Sequence, residues 1–274
     1  MPALRVVFFV SDSTGITAET LGQSILTHFP AIEFERVLLP FVDSVAKMAD
    51  AVATINVAAS TSGTRPLVFS TLVDDSLRNQ LVRCAGMVLD CFETFVAPLE
   101  TELGAQATQS VGRSQGSGSV KEYDRRMEAV NYTLSHDDGV TERDLEEAEI
   151  ILLGVSRSGK TPTCLYMAMQ FGIKAANYPL IPEDMERMKL PSALGPHMKK
   201  LFGLTIRPER LHQIRSERRP GSWYAALSNC KAETQAAEAL LRTANVPCLE
   251  STSKSIEELA TTIIHEAKLQ RHVY

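Results

Sequence analysis

The segment Gly154-Val155-Ser156-Arg157-Ser158-Gly159-Lys160-Thr161 constrains this chain more than any other. It satisfies the spacing G-x-x-x-x-G-K-[ST] in full, between the apolar run Ile150-Ile151-Leu152-Leu153 and a helical pattern from about Lys160 to Gln170. A chance match in a chain this long arises on the order of once in a hundred sequences, and the strand-before, helix-after setting makes chance a poorer account still. Glycines let the backbone bend until successive N–H groups converge on phosphate oxygens, and the helix N-terminus adds positive potential. Lys160 then bridges the β-phosphate and the transferred phosphoryl group, and Thr161 offers its hydroxyl to Mg2+. Pro162 falls in the first helical turn, where its missing N–H costs little. The competing reading is an ordinary tight β–α turn that happens to contain Gly and Lys.

A phosphate loop between a strand and a helix calls for an α/β fold, and the rest of the chain agrees. Val6–Val10, Val37–Leu39, Pro66–Phe69, Met87–Leu89 and Phe95-Val96 read as strands. Helical patterns lie between them, at Gly15–Phe29 (with Thr14, Ser13 or Asp12 as N-cap), Ser44 to about Ala59, and Asp74–Cys84. From Gly104 to Val120 the chain turns to Gly, Ser, Gln and Thr with no apolar period and reads as a mobile loop or interdomain linker; a functional loop carrying Arg113 is the alternative. Beyond it lie a helix at Tyr123–Leu134, with Met127, Val130 and Leu134 on one face, and a short helix at Thr141–Ala148 with Thr141 and Asp144 at capping-box spacing. Strands follow at 150–153, 175–180, 204–206 and 246–249, then an amphipathic helix at Ser255–Lys268 with Ile256, Leu259, Ile263 and Ile264 facing a core. The expected organisation is an N-terminal α/β domain over 1–103, a linker over 104–122, and a P-loop kinase-like domain over 123–274 with a mostly parallel sheet.

Composition narrows the function classes. A formal charge of −5 over 274 residues leaves no basic footprint for nucleic acid. No apolar run approaches the length of a membrane span, and Val6–Val10 is too short for a signal-peptide core. Five cysteines, with no C-x-x-C pair and no histidines at ligand spacing, read as reduced thiols in the cytoplasm rather than disulfides or a zinc site. A homodimer is the base-rate assembly.

A P-loop says where phosphate binds, not what is done with it. No strand pattern after it ends in Asp, so the usual second magnesium ligand of motors and GTPases is missing; Leu249-Glu250 is the nearest imitation, and Met87-Val88-Leu89-Asp90 lies before the linker. Asp137 and Asp138, in His136-Asp137-Asp138-Gly139 just ahead of the P-loop strand, are candidates to hold Mg2+ or to accept a hydroxyl proton. The alternative is an exposed helix C-terminus closed by Gly139. Arg215 and Arg218 share a helical face with position 211 and are candidates to clamp a second phosphate; a solvated face or an oligomer contact is the plainer reading. The loop Ser11-Asp12-Ser13-Thr14-Gly15 has the placement of an anion cradle but no lysine, and a capped helix start explains it nearly as well.

Five segments in order carry a family likeness: Val10–Gly15, His136–Gly139, Gly154–Pro162, Ala176-Asn177-Tyr178-Pro179-Leu180 and Gly203-Leu204-Thr205-Ile206. Together, over nearly the whole chain, they resemble the bacterial phosphoenolpyruvate synthase regulatory proteins, relatives of the plant pyruvate, phosphate dikinase regulatory protein. The resemblance implies a bifunctional transferase. Such a protein phosphorylates a threonine of phosphoenolpyruvate synthase with ADP as donor, and removes that phosphate with inorganic phosphate, releasing pyrophosphate. It further implies that Gly154–Thr161 hold ADP with Lys160 on its β-phosphate, and that Asp138 or Asp137 serves as base or metal ligand. The family pattern has His where Gln115 stands in Val111–Gly116, and a role for that His in phosphorolysis would bear on the second activity. A small-molecule P-loop kinase and an ADP-sensing regulator without chemistry are the alternative readings.

Overall fold

Apolar runs too short to be helices become the centres of two parallel sheets. The computed structural model describes residues 4–107, 120–139 and 143–272. The chain divides into two compact units, residues 1–117 and 118–274. In the first, β1 (Arg5–Val10), β2 (Phe34–Leu39), β3 (Leu67–Ser70) and β4 (Met87–Asp90) form a parallel sheet in the order β2-β1-β3-β4. α1 (Ile16–Leu26), α2 (Val45–Ser62) and α3 (Asp75–Leu81) connect its strands, and α4 (Glu93–Leu103) follows the last. Alternate residues of β1 serve opposite faces. Phe8 and Val10 pack with Met48, Ile55 and Leu81, while Val7 and Phe9 pack with Ala18, Leu26 and Phe69. Ser44 caps α2 by accepting from the Lys47 N–H, and Gly63 closes it in the left-handed conformation.

Two local expectations in this unit change. α1 starts after Gly15, itself left-handed, with no side-chain cap. The polar residues read as caps are used elsewhere: the Asp12 carboxylate accepts from the Val73 N–H at 2.8 Å, and Ser11 Oγ from the Ser13 N–H at 3.1 Å. Phe95-Val96 lie in α4 rather than a strand, because the Asp90 carboxylate accepts from the Phe92 and Glu93 N–H groups at 2.9 and 2.8 Å and opens a helix there. Most of the linker expectation, including Arg113 and Gln115, lies outside the described residues.

The second unit repeats the strand order of the first. β5 (Ile150–Gly154), β6 (Ala175–Pro179), β7 (Leu201–Thr205) and β8 (Cys248–Glu250) pair in parallel as β6-β5-β7-β8. α5 (Val120–Ser135), α6 (Lys160–Phe171), α7 (Pro182–Arg187), α8 (Pro208–Arg218), α9 (Leu227–Thr243) and α10 (Ile256–Glu266) complete it, with 3-10 turns at Leu145–Glu147, Ser192–Lys200 and Trp223–Ala225. β5 is buried along its whole length, as a central parallel strand must be. Ile150 and Leu152 face Met167, Phe202 and Ile263; Ile151 and Leu153 face Leu211, Leu240 and Leu241. In such sheets ligands bind at the carboxyl ends of the strands, where the order reverses, and for this unit that point is the end of β5.

The buried face of α5 is not the one its large apolar residues suggest. Met127 and Leu134 are exposed, while Ala129, Tyr132 and Thr133 are buried. Small Ala129 and Thr133 let the helix come close to β6, where Thr133 Oγ1 donates to the Ala175 carbonyl at 2.9 Å. The helix expected at Thr141–Ala148 is a single 3-10 turn, and Thr141 itself lies outside the described residues. In α10, Ser255 and Glu258 form a capping box and Leu259, Ile263 and Ile264 are buried, but Ile256 is exposed. All five cysteines are free thiols. No helix among the described residues is long and apolar enough to cross a membrane.

Candidate active site

The end of β5 and the start of α6 form a loop that only particular residues permit. Gly154 has φ 150°, Arg157 φ 76° and Gly159 φ 96°. A Cβ on Gly154 would stand 2.3 Å from the Leu204 carbonyl oxygen, part of the neighbouring strand that cannot yield cheaply. Gly154→Ala is therefore expected to destabilise the second unit by about 3 kcal/mol or more, from strained φ plus backbone overlap. Chemical denaturation of the variant checks this; an unchanged midpoint contradicts the packing at β7. Gly159 is the left-handed residue before α6, and no side chain caps that helix. Its first N–H groups thus have no side-chain acceptor, which is the local arrangement that receives a phosphate. Ser158 Oγ, fully buried in the same loop, has no hydrogen-bond partner among the described residues. An orphaned hydroxyl beside uncapped amides fits an anionic ligand.

Lys160 is buried, with 3% of its surface exposed, and its ammonium donates to the Val155 carbonyl at 3.0 Å. Burial pulls its pKa down to about 8; the charges of Asp138 and then Asp137 resist that pull, while Arg215 adds to it.

The acidic pair reaches the loop through backbone pairing. Residues 136–139 run along β6 like an added edge: the Asn177 N–H donates to the His136 carbonyl at 3.0 Å and the Gly139 N–H to the Asn177 carbonyl at 3.1 Å. His136 is buried, stacked on Tyr132 with ring centres 3.9 Å apart, and its ring nitrogens lie 2.8 Å from the Tyr132 and Arg143 carbonyls. This anchors the start of the segment. Asp137 Oδ1 then accepts from the Thr161 hydroxyl at 2.8 Å and from Asn177 Nδ2 at 2.5 Å. Asn177 Nδ2 also lies 2.8 Å from Thr161 Oγ1 and 3.3 Å from Asp138 Oδ1. Asp138 is exposed and left-handed at φ 52°.

Asn177 is the residue that spacing did not reveal. β6 pairs it opposite Leu152 on β5, and its amide sits among both carboxylates and the P-loop threonine, while its buried Oδ1 has no partner among the described residues. Asn177→Leu, of similar volume without the donors, is expected to lower phosphoryl transfer about tenfold or more by releasing two like charges from a shared donor. Steady-state kinetics on folded variant checks this.

The group fits Mg2+. That ion takes one or two carboxylates, waters and substrate phosphates rather than an all-protein cage. Two aspartates and a threonine hydroxyl beside a phosphate loop match that set. Among the described residues no group of three or more His, Cys, Asp or Glu side chains suits a metal.

The two arginines are not brought together. Arg215 is buried behind the loop, donating to the Ser156 carbonyl at 3.1 Å and to Glu233 at 2.7 Å, whereas Arg218 is exposed one turn further along α8. Helical spacing sets both on one face, but Glu233 on α9 draws Arg215 inward.

Sequence comparison bears on the same segments. The model of the kinase/pyrophosphorylase family matches residues 7–264. A protein of Paracidovorax citrulli is 56% identical over 271 residues, 98% of this chain and 99% of that one. One from Aromatoleum aromaticum is 54% identical over 272 residues, covering 99% and 98% of the two chains. One from Burkholderia mallei is 55% identical over 271 residues, covering 99% and 100%. Each bears the provisional name phosphoenolpyruvate synthase regulatory protein. The likeness runs through both units and not the phosphate loop alone, so the kinship is that of the whole chain, which belongs to the kinase/pyrophosphorylase family.

Proposed function

We propose that this chain phosphorylates a threonine of phosphoenolpyruvate synthase using ADP, inactivating it, and removes that phosphate by phosphorolysis. The observation that carries the reading is the joining of Asp137, Asp138, Asn177 and Thr161 at the mouth of the loop that holds Lys160. The relatives' names supply the target. In the forward direction the threonine oxygen attacks the β-phosphorus of ADP, the bond to the bridging oxygen breaks, and AMP leaves. Gly154–Thr161 hold the phosphates, and Lys160 exchanges the Val155 carbonyl for a β-phosphate oxygen, where its charge meets the charge that develops. Asp138, exposed and bound among the described residues only at 3.3 Å, takes the hydroxyl proton. Asp137 orients Thr161 through its 2.8 Å hydrogen bond. Thr161 and Asp138 or Asp137 would hold Mg2+, which when bound neutralises phosphate charge. In the reverse direction inorganic phosphate attacks the phosphothreonine phosphorus, giving pyrophosphate and free threonine. Phosphoryl transfer asks mainly for positioning and charge neutralisation, which this set of groups supplies.

The test is incubation with purified phosphoenolpyruvate synthase carrying its catalytic phosphate, together with β-labelled ADP and Mg2+. Label is expected on a threonine, and added inorganic phosphate should release it as pyrophosphate. Transfer from ATP to a metabolite with no label on protein would move the chain to the small-molecule kinases. Binding of ADP with no transfer at all would make it a sensor.

A further inference from the structure

Arg215 heads the largest fully buried side chains among the described residues. A cation is kept from water only where its partners are good, so those partners indicate its use. Nη2 donates to Glu233 at 2.7 Å and to the Ser156 carbonyl at 3.1 Å, and Nη1 donates to the Tyr224 carbonyl at 3.1 Å. The guanidinium lies over the Tyr224 ring, 4.1 Å from its centre. The Tyr224 hydroxyl in turn meets the Ser156 hydroxyl at 3.1 Å. Asn229 holds Glu233 from the other side at 2.8 Å. One network, built from α8, α9 and the turn between them, therefore grips Ser156 at both its carbonyl and its side chain.

That grip matters for the loop. Amides can converge on a phosphate only if the carbonyls between them turn outward, and each outward carbonyl needs a donor to hold it there. Lys160 holds the Val155 carbonyl and Arg215 holds the next one. When Lys160 turns to a phosphate, the Ser156 carbonyl still has its donor. We propose that Arg215 is a positioning residue of the nucleotide site: acting through the Ser156 carbonyl, it fixes the direction of the loop amides, with Glu233 and Tyr224 fixing Arg215. This deepens the function proposed above and rests on nucleotide phosphates binding at Gly154–Thr161.

Arg215→Met alone strands the Glu233 carboxylate and lowers stability whatever the arginine does for the loop, so the deciding variant is the double change Arg215→Met, Glu233→Met. It removes both charges, and an apolar pair in place of a buried ion pair is commonly near neutral for stability. Thermal unfolding and ADP affinity by calorimetry are read together. The double variant should unfold close to wild type yet bind ADP at least about tenfold more weakly, the scale of a lost hydrogen bond from a charged donor. Wild-type affinity in that variant overturns the proposal and leaves Arg215 a structural residue. Should the double variant not fold, Arg215→Lys decides: it keeps the charge but cannot reach Ser156, Tyr224 and Glu233 at once, and unchanged ADP affinity overturns the proposal equally. A wild-type protein that binds no ADP is a different failure, that of the nucleotide-site reading, and takes the proposal with it.

Discussion

Replacement of Lys160 by Met is expected to lower kcat/KM for phosphoryl transfer by about a thousandfold or more, the scale of losing a charge aimed at the transferred group. Lys160 is the cation buried in the phosphate loop, 3% exposed, and its ammonium rests on a backbone carbonyl rather than a carboxylate. Burial draws its pKa to about 8, so the charge that the proposed reaction uses is easily lost. The wild-type kcat/KM should therefore fall as pH rises through about 8, and a pH–rate profile checks this limb. The same depression has a sign for stability. A lysine whose folded pKa lies below its unfolded value of 10.5 costs stability at lower pH, and the cost is relieved as pH rises from about 8 to 10.5. Relative to Lys160→Met, the wild type should gain on the order of 3 kcal/mol across that window. Paired unfolding curves at its two ends measure it. A difference that does not change with pH would mean that Lys160 is not buried as described.

Asp138→Asn is expected to lower kcat by about a hundredfold, as loss of a general base does, while ADP affinity stays within about twofold. The two aspartates are not equivalent. Asp137 is committed to Thr161 and Asn177 at 2.8 and 2.5 Å. Asp138 is exposed, has among the described residues one hydrogen bond, of 3.3 Å, and is the carboxylate whose charge Lys160 feels most. An incoming hydroxyl therefore meets Asp138 with lone pairs to spare. Rapid-quench transfer assays beside calorimetric ADP binding separate the two quantities. Wild-type rates would remove Asp138 from the chemistry, and loss of ADP binding would recast it as part of the nucleotide cradle.

The phosphate loop was legible in the sequence because its geometry is local. Gly154, Gly159 and Lys160 lie within seven residues, and the spacing itself encodes the left-handed turns the structure uses. The α/β alternation was legible for the same reason: buried parallel strands are continuous apolar runs. The pairing of His136–Gly139 with β6 was not, because it depends on the register that sets Asn177 against β5, and Asn177 and Asp137 are 40 positions apart. Asn177 therefore stood inside a family-like segment with no role assigned. Arg215 was misplaced for a related reason. Position on a helix predicts a face, but whether that face is wet depended on Glu233, a residue on the next helix. At Phe95-Val96 an apolar pair suggested a strand, and the Asp90 carboxylate, which pattern reading overlooks, decided for a helix.

The proposed reaction has Lys160 and its acidic neighbours moving the β-phosphoryl group of ADP to a protein threonine. It is tested most directly by incubating phosphoenolpyruvate synthase with ADP and either wild type or Lys160→Met, then locating phosphate by mass spectrometry while assaying synthase activity. One new phosphothreonine and an inactive synthase are expected with wild type, and neither with the variant. A synthase that stays active and unmodified with the wild type, or one modified equally by the variant, would contradict it.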